Sequence, residues 1–323
     1  MSVLDLAPIT EGSTANLAFQ NSLDLARHVE EWGYNRFWVA EHHSMPGIAS
    51  SATSVLIGFI AGGTSRIRVG SGGIMLPNHP PLVITEQFGT LESMYPGRID
   101  LGLGRAPGSD QATAKALRRN LSDGDQFPSQ LEQLRSFFKP LSEGEQASVR
   151  AIPGEGLDIP IWLLGSSGFS ARLAGELGLP FSFASHFSPE NTLPAIRLYR
   201  ESFRPSASLA EPYVMVAINA IAADTDEKAQ WLATSQQQAF LDLIRRTPGQ
   251  LKPPVESMDN IWSAYEKMLV DQQLQTTMIG SPKTVKEKID AFIGETQADE
   301  LMINSHIYDH KDRLRSYEIV IGE

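Results

Sequence analysis

The chain has 323 residues, with 27 Lys plus Arg against 38 Asp plus Glu. The resulting net charge of −11 excludes the basic surface that a nucleic-acid binder needs. Cysteine is absent, so disulfides, thiolate metal sites and a cysteine nucleophile are excluded too. Met1–Gly12 carries Asp5 and Glu11 with no basic region before an apolar run, and no stretch reaches the ~18 apolar residues of a membrane span. A cytoplasmic protein is expected.

Short apolar runs recur along the chain, each followed by a longer segment of polar and helical character. They are 3–6, 36–40, 66–70, 98–102, 160–164, 180–184, 213–218 and 301–304. Asn21–Tyr34 and Thr284–Ile293 between them have helical spacing. Eight strands separated by helices call for parallel pairing through crossovers, and eight is the number that closes a barrel. The expected fold is α/β, a single (β/α)8 TIM-type barrel over residues 1–323. Loop insertions are expected at about 117–155 and 248–280, where substrate lids commonly sit. An open doubly wound sheet is the alternative. Its main sign, Gly102-Leu103-Gly104-Arg105-Ala106-Pro107-Gly108, fails the dinucleotide pattern because the last glycine is one residue late and a proline interrupts the helix start.

Three loops carry candidate chemistry. After the second strand stands Glu41-His42-His43, the address at which barrel enzymes keep catalytic groups. Side-chain alternation sends only one of the two histidines to the barrel mouth, and the pair lacks the i, i+4 spacing of a zinc helix, so no metal is expected. An imidazole there suits acid–base work; two structural histidines are the alternative. After the third strand, Ser71-Gly72-Gly73 lets a flat ligand approach the backbone, unless it is only a bulge. After the fifth, Leu164-Gly165-Ser166-Ser167 leads to Ser170 at a helix start, whose free N–H groups and dipole suit a phosphate. Ser167 equally suits a simple N-cap. Arg105, ending the fourth strand, supplies local positive charge in an acidic chain. Phe127, Phe187, Trp262 and Tyr265 are aromatic candidates for a substrate lid.

Ala40-Glu41-His42-His43, Val69-Gly70-Ser71-Gly72-Gly73 with Leu76-Pro77-Asn78-His79-Pro80, Pro96 through Arg105, and Leu164-Gly165-Ser166-Ser167 occur in an order that resembles the bacterial luciferase-like flavin monooxygenases nearly end to end. The resemblance implies FMN across the barrel mouth. Its ring would lie over Ser71, Gly72 and Gly73, and its phosphate near Arg105, Ser166, Ser167 and Ser170, with Leu164 and Gly165 also binding the cofactor and His42 as the catalytic histidine. It implies a non-proline cis peptide at Gly72–Gly73. It also implies a monooxygenase using reduced FMN and O2 on a small organic substrate. No nicotinamide fingerprint is present, so reduced flavin is expected from a separate NAD(P)H flavin reductase. Light emission is not implied, because Gly104 stands where light-emitting luciferases have cysteine. F420-dependent hydride transfer, a non-catalytic FMN-binding protein and a barrel lyase remain alternatives. A homodimer is expected, with His43 of one chain meeting Glu86 of the other.

Overall fold

The structure, a computed structural model, describes residues 1–106, 110–119, 126–142 and 147–322. In chain order the strands are β1 (Ser2–Asp5), β2 (Arg36–Val39), β3 (Arg68–Ser71), β4 (Ile74–Met75), β5 (Ile99–Gly104), β6 (Ile161–Gly165), β7 (Phe181–Ala184), β8 (Val214–Ala222), β9 (Met278–Gly280) and β10 (Glu300–Asn304). All pairings between them are parallel, and β10 closes the ring by pairing with both β8 and β1. The eight-stranded barrel expected from the alternation is therefore present. The short strands β4 and β9 lie off the ring, on β5 and on the far end of β8. No described helix is long and apolar enough to cross a membrane.

Period-two alternation assigns each strand residue a side. Leu4, Leu6, Trp38, Ala40, Trp162, Met215, Ala217 and Met302 fill the barrel interior as one buried cluster. Their neighbours Val3, Phe37, Val39, Phe181, Val216 and Ile303 face outward into the larger core beneath the helices. Burying each of those large apolar side chains contributes roughly 1.5–3 kcal/mol.

The N-terminal end of the barrel is closed by one polar layer on the inward parity. Arg36 donates to Asp100 at 2.8 Å and to Glu300 at 3.1 Å, and Arg68 meets the other Asp100 oxygen at 2.6 Å. Trp38 Nε1 donates to Asp100 at 3.1 Å, while Tyr213 and Ser2 donate to Glu300. Two cations thus face two carboxylates, and both acids are fully or nearly fully buried.

The two segments expected as insertions differ. In the first, α5 (Phe127–Phe138) packs on α3 (Pro81–Met94) and buries Phe127, Leu131, Leu134 and Phe138. It therefore belongs partly to the helical layer, and Phe127 is core rather than lid. In the second, Leu251 N–H donates to Ile9 O at 2.9 Å and Glu11 N–H to Leu251 O at 2.8 Å, tying that segment to the barrel mouth.

Candidate active site

Inward parity continues past the strand ends and selects the residues at the C-terminal rim. From Trp38 and Ala40 it reaches His42, from Ser182 and Ala184 it reaches His186, and from Met302 and Asn304 it reaches His306. All three histidines line cavities at this mouth. Burial, partly opposed by a hydrogen bond from its Nδ1–H to Ala217 O at 3.2 Å, depresses His186 to about 4. His306 is depressed to about 4 by burial and by the Arg313 cation. Both are therefore neutral at pH 7.

One cleft at the mouth, about 1000 Å³ including space open to solvent, is lined by His42, Gly72, Gly73, Arg105, Leu164, Gly165, Ser166, Ser167 and Ser170. Nine of the ten residues expected at the site are thus brought together. Ser71 is not: its fully buried hydroxyl donates to Gly102 O at 2.8 Å and accepts from Gly102 N–H at 3.0 Å. Ser71 fastens β3 to β5, because strand alternation turns it away from the space that Gly72 faces.

The Gly72–Gly73 peptide is cis. A Cβ on Gly72 would lie 2.7 Å from Leu4 Cδ1, and one on Gly73 would lie 2.8 Å from Gly102 O. Backbone packing thus calls for glycine at 73, the Leu4 and Trp38 side chains crowd position 72, and the lack of side chains at both also leaves this wall of the cleft flat.

Across the cleft, α6 (Gly168–Leu177) begins with Ser167 at its N-cap, yet the Ser167 side chain makes no capping bond. The simple N-cap role does not account for it, and its exposed hydroxyl, with that of Ser166, stands beside the helix's unpaired N–H groups. The Arg105 guanidinium stacks on Phe169 at 4.1 Å and has no carboxylate partner among the described residues. Hydroxyls, backbone donors and a cation around a helix start form a donor set that matches a phosphate monoester.

His43 has a partner close at hand. Its Nε2 donates to Glu41 Oε1 at 2.9 Å, so one polar partner lies within its own chain. Glu41 also receives His79 Nε2 at 2.9 Å, Asn78 Nδ2 at 3.0 Å and the Met75 N–H at 2.9 Å. Burial pushes its carboxyl up, but the bonds from His79, Asn78 and His43 hold it below the ordinary value. Glu41 thereby ties the loop after β2 to the loop that carries Gly72 and Gly73.

Residues 1–300 match the family model for luciferase-like monooxygenases. The chain is 55% identical to a luciferase-like monooxygenase of Escherichia coli K12, over 99% of this chain and 95% of that one. It is 32% identical to N-acetyl-S-alkylcysteine monooxygenase of Bacillus subtilis, over 99% and 96%. The chain belongs to the luciferase-like monooxygenase family. Among solved structures, apo-MsnO8 is similar with a TM-score of 0.86 at 33% identity, covering 99% of this chain and 97% of that one. Two more distant structures share the fold. The FMN-bound oxygenating constituent of 3,6-diketocamphane monooxygenase from Pseudomonas putida has a TM-score of 0.77 at 20% identity, covering 100% and 96%. An F420-dependent secondary alcohol dehydrogenase with an F420–acetone adduct has a TM-score of 0.68 at 14% identity, covering 94% of each chain. This member is an oxidoreductase of the monooxygenase type.

In this luciferase-like chain, Gly104 lines the cleft, and a Cβ there would meet Met75 Sδ at 2.9 Å. His186, His306 and Glu41's anchoring role were missed from sequence. Counting in twos from Ser182 and Met302 finds both histidines; Glu41's partners, by contrast, come from a loop more than thirty residues away. Of the lid aromatics, Phe187 lines the cleft, Trp262 packs with Phe240 and Met258, and Tyr265 is exposed.

Proposed function

We propose that the protein is an FMN-dependent monooxygenase that uses reduced FMN and O2 to oxygenate a small organic molecule. The observation that carries this reading is the phosphate donor set of Arg105, Ser166, Ser167 and the α6 start, placed across the cleft from the flat Gly72–Gly73 wall. When bound, reduced FMN would supply two electrons to O2, so that one oxygen atom enters the substrate and the other leaves as water. Arg105, Ser166, Ser167 and Ser170 would hold the phosphate, and Gly72 and Gly73 would support the ring. His42 would pass a proton between its imidazole and the reacting groups. The apolar interior below Leu4 and Met302 would keep bulk water from the reaction.

An F420 tail carries more negative charge than FMN, and Arg105 is the cation lining the described cleft, which favours FMN. A separate NAD(P)H-dependent flavin reductase would supply the reduced cofactor. Exposed Val55 and Phe59 on α2 (Thr53–Gly63), with Val83 and Met94 on α3, support a homodimer through these helices. Absorbance and fluorescence titration tests the cofactor: one FMN per chain is expected, with F420 a weak competitor. A chain that takes up neither oxidised nor reduced FMN refutes the reading.

A further inference from the structure

A second chamber adjoins the cleft at the barrel mouth and shares Leu6, His42, His186 and Phe187 with it. Including the space open to solvent it measures about 810 Å³. Leu6, Met45, Ile48, Phe240 and Leu251 are among its apolar wall residues. Its polar side chains, His42, His186, Asn304 and His306, come from strand ends on the inward parity. Among the described residues, no Asp, Glu, Lys or Arg side chain lines it.

The outer wall is fixed in place. Ile9 N–H donates to Gly47 O at 2.9 Å and Leu251 N–H to Ile9 O at 2.9 Å, so the segments at 9, 47 and 251 are joined through their backbones. Gly47 permits this closeness, since a Cβ there would sit 2.2 Å from Gly249 O. At the boundary with the cleft, Phe187 packs on His186 at 4.3 Å, and its carbonyl accepts from Gln273 Nε2 at 2.8 Å. The chamber is therefore preformed, with a polar patch beside the cleft and apolar walls beyond.

We propose that this chamber is the organic-substrate subsite and selects an uncharged, mainly apolar molecule that presents one hydrogen-bonding group to His186 and His306. Its role as a subsite rests on the flavin reading above; its selectivity rests on its walls. An ionised carboxylate buried there would lose its hydration without gaining a lysine or arginine cation. The neutral imidazoles of His186 and His306 do not supply a charge at pH 7. A ketone, ester or thioether loses far less hydration and places its chain against Ile48, Phe240 and Leu251. Uncharged His186 spends its Nδ1–H on Ala217 O and offers Nε2 as an acceptor, while uncharged His306 brings one N–H to donate to a ligand oxygen or sulfur.

The test is calorimetric titration of the FMN-loaded protein at pH 7.5 with 2-octanone and with octanoate, a pair of equal carbon number that differs in charge. The ketone is expected to bind at least about tenfold more tightly. Leu243→Lys alters a half-exposed rim position on α8 (Asp226–Ile244) and is expected to narrow that ratio several-fold with FMN affinity unchanged. Equal affinity for the two ligands, or binding of neither, overturns the proposal. If FMN fails to bind while the cofactor-free protein still prefers the ketone, the flavin reading fails and the chamber's selectivity stands.

Discussion

The two ends of this barrel use inward-facing polar residues in opposite ways. At the N-terminal end, Arg36, Arg68, Asp100 and Glu300 neutralise one another, and Trp38, Tyr213 and Ser2 satisfy the remaining oxygens. At the C-terminal end His186 and His306 are kept uncharged, Ser167 leaves its capping bond unmade and Arg105 has a ring rather than a carboxylate beneath it. A saturated network holds strands in register and has no donors to offer a ligand. An unsaturated rim has donors to offer, which is why ligand chemistry belongs there. Glu41 is the exception at the rim: it is saturated, and it anchors the loop of the flat wall rather than facing the cleft.

The largest effect that tests this contrast is at the closed end. Asp100→Ala leaves Arg36 and Arg68 short of a partner in a buried layer, and is expected to lower unfolding free energy by about 3–5 kcal/mol in urea titration. A loss below about 1 kcal/mol means that the layer is not holding the barrel together. At the open end, His42→Ala is expected to slow oxygenation by about two to four orders of magnitude while FMN affinity stays within a factor of two or so. Parallel losses in binding and turnover would make His42 a structural residue.

Stability should also depend on pH at the open end. His186 is held at about 4 in the folded protein, against 6.5 when unfolded, so the unfolded chain takes up the proton first as pH falls. Its full contribution is present above pH 6.5, is lost progressively toward pH 4, and amounts to something of order 3 kcal/mol. His186→Asn, which retains a donor for Ala217 O, is expected to flatten that limb of the denaturation midpoint against pH. An unchanged acid limb places the titration elsewhere. The smallest effect concerns Arg105→Ala, which should weaken FMN by about 1–3 kcal/mol with folding unaltered. Unaltered FMN affinity removes Arg105 from the phosphate site.

Alternation of apolar runs with helical spacing was enough to specify a closed parallel barrel, because a buried strand and a crossover helix each leave a local pattern that nothing distant has to supply. Residues at strand ends were legible for the same reason: His42, Gly72, Gly73 and Arg105 follow their strands directly and reach the cleft. Ser71 was misplaced by a single step of alternation, since one residue changes the side of the sheet. Which long-range partners meet was decided by the tertiary structure alone. His43 turned to Glu41 within its own chain because the loop at Met75–His79 folds onto that carboxylate and builds a buried site that an imidazole completes. The second chamber was equally invisible, as its walls come from residues near 6, 47, 186, 240, 251 and 306, and only barrel closure brings them into one space.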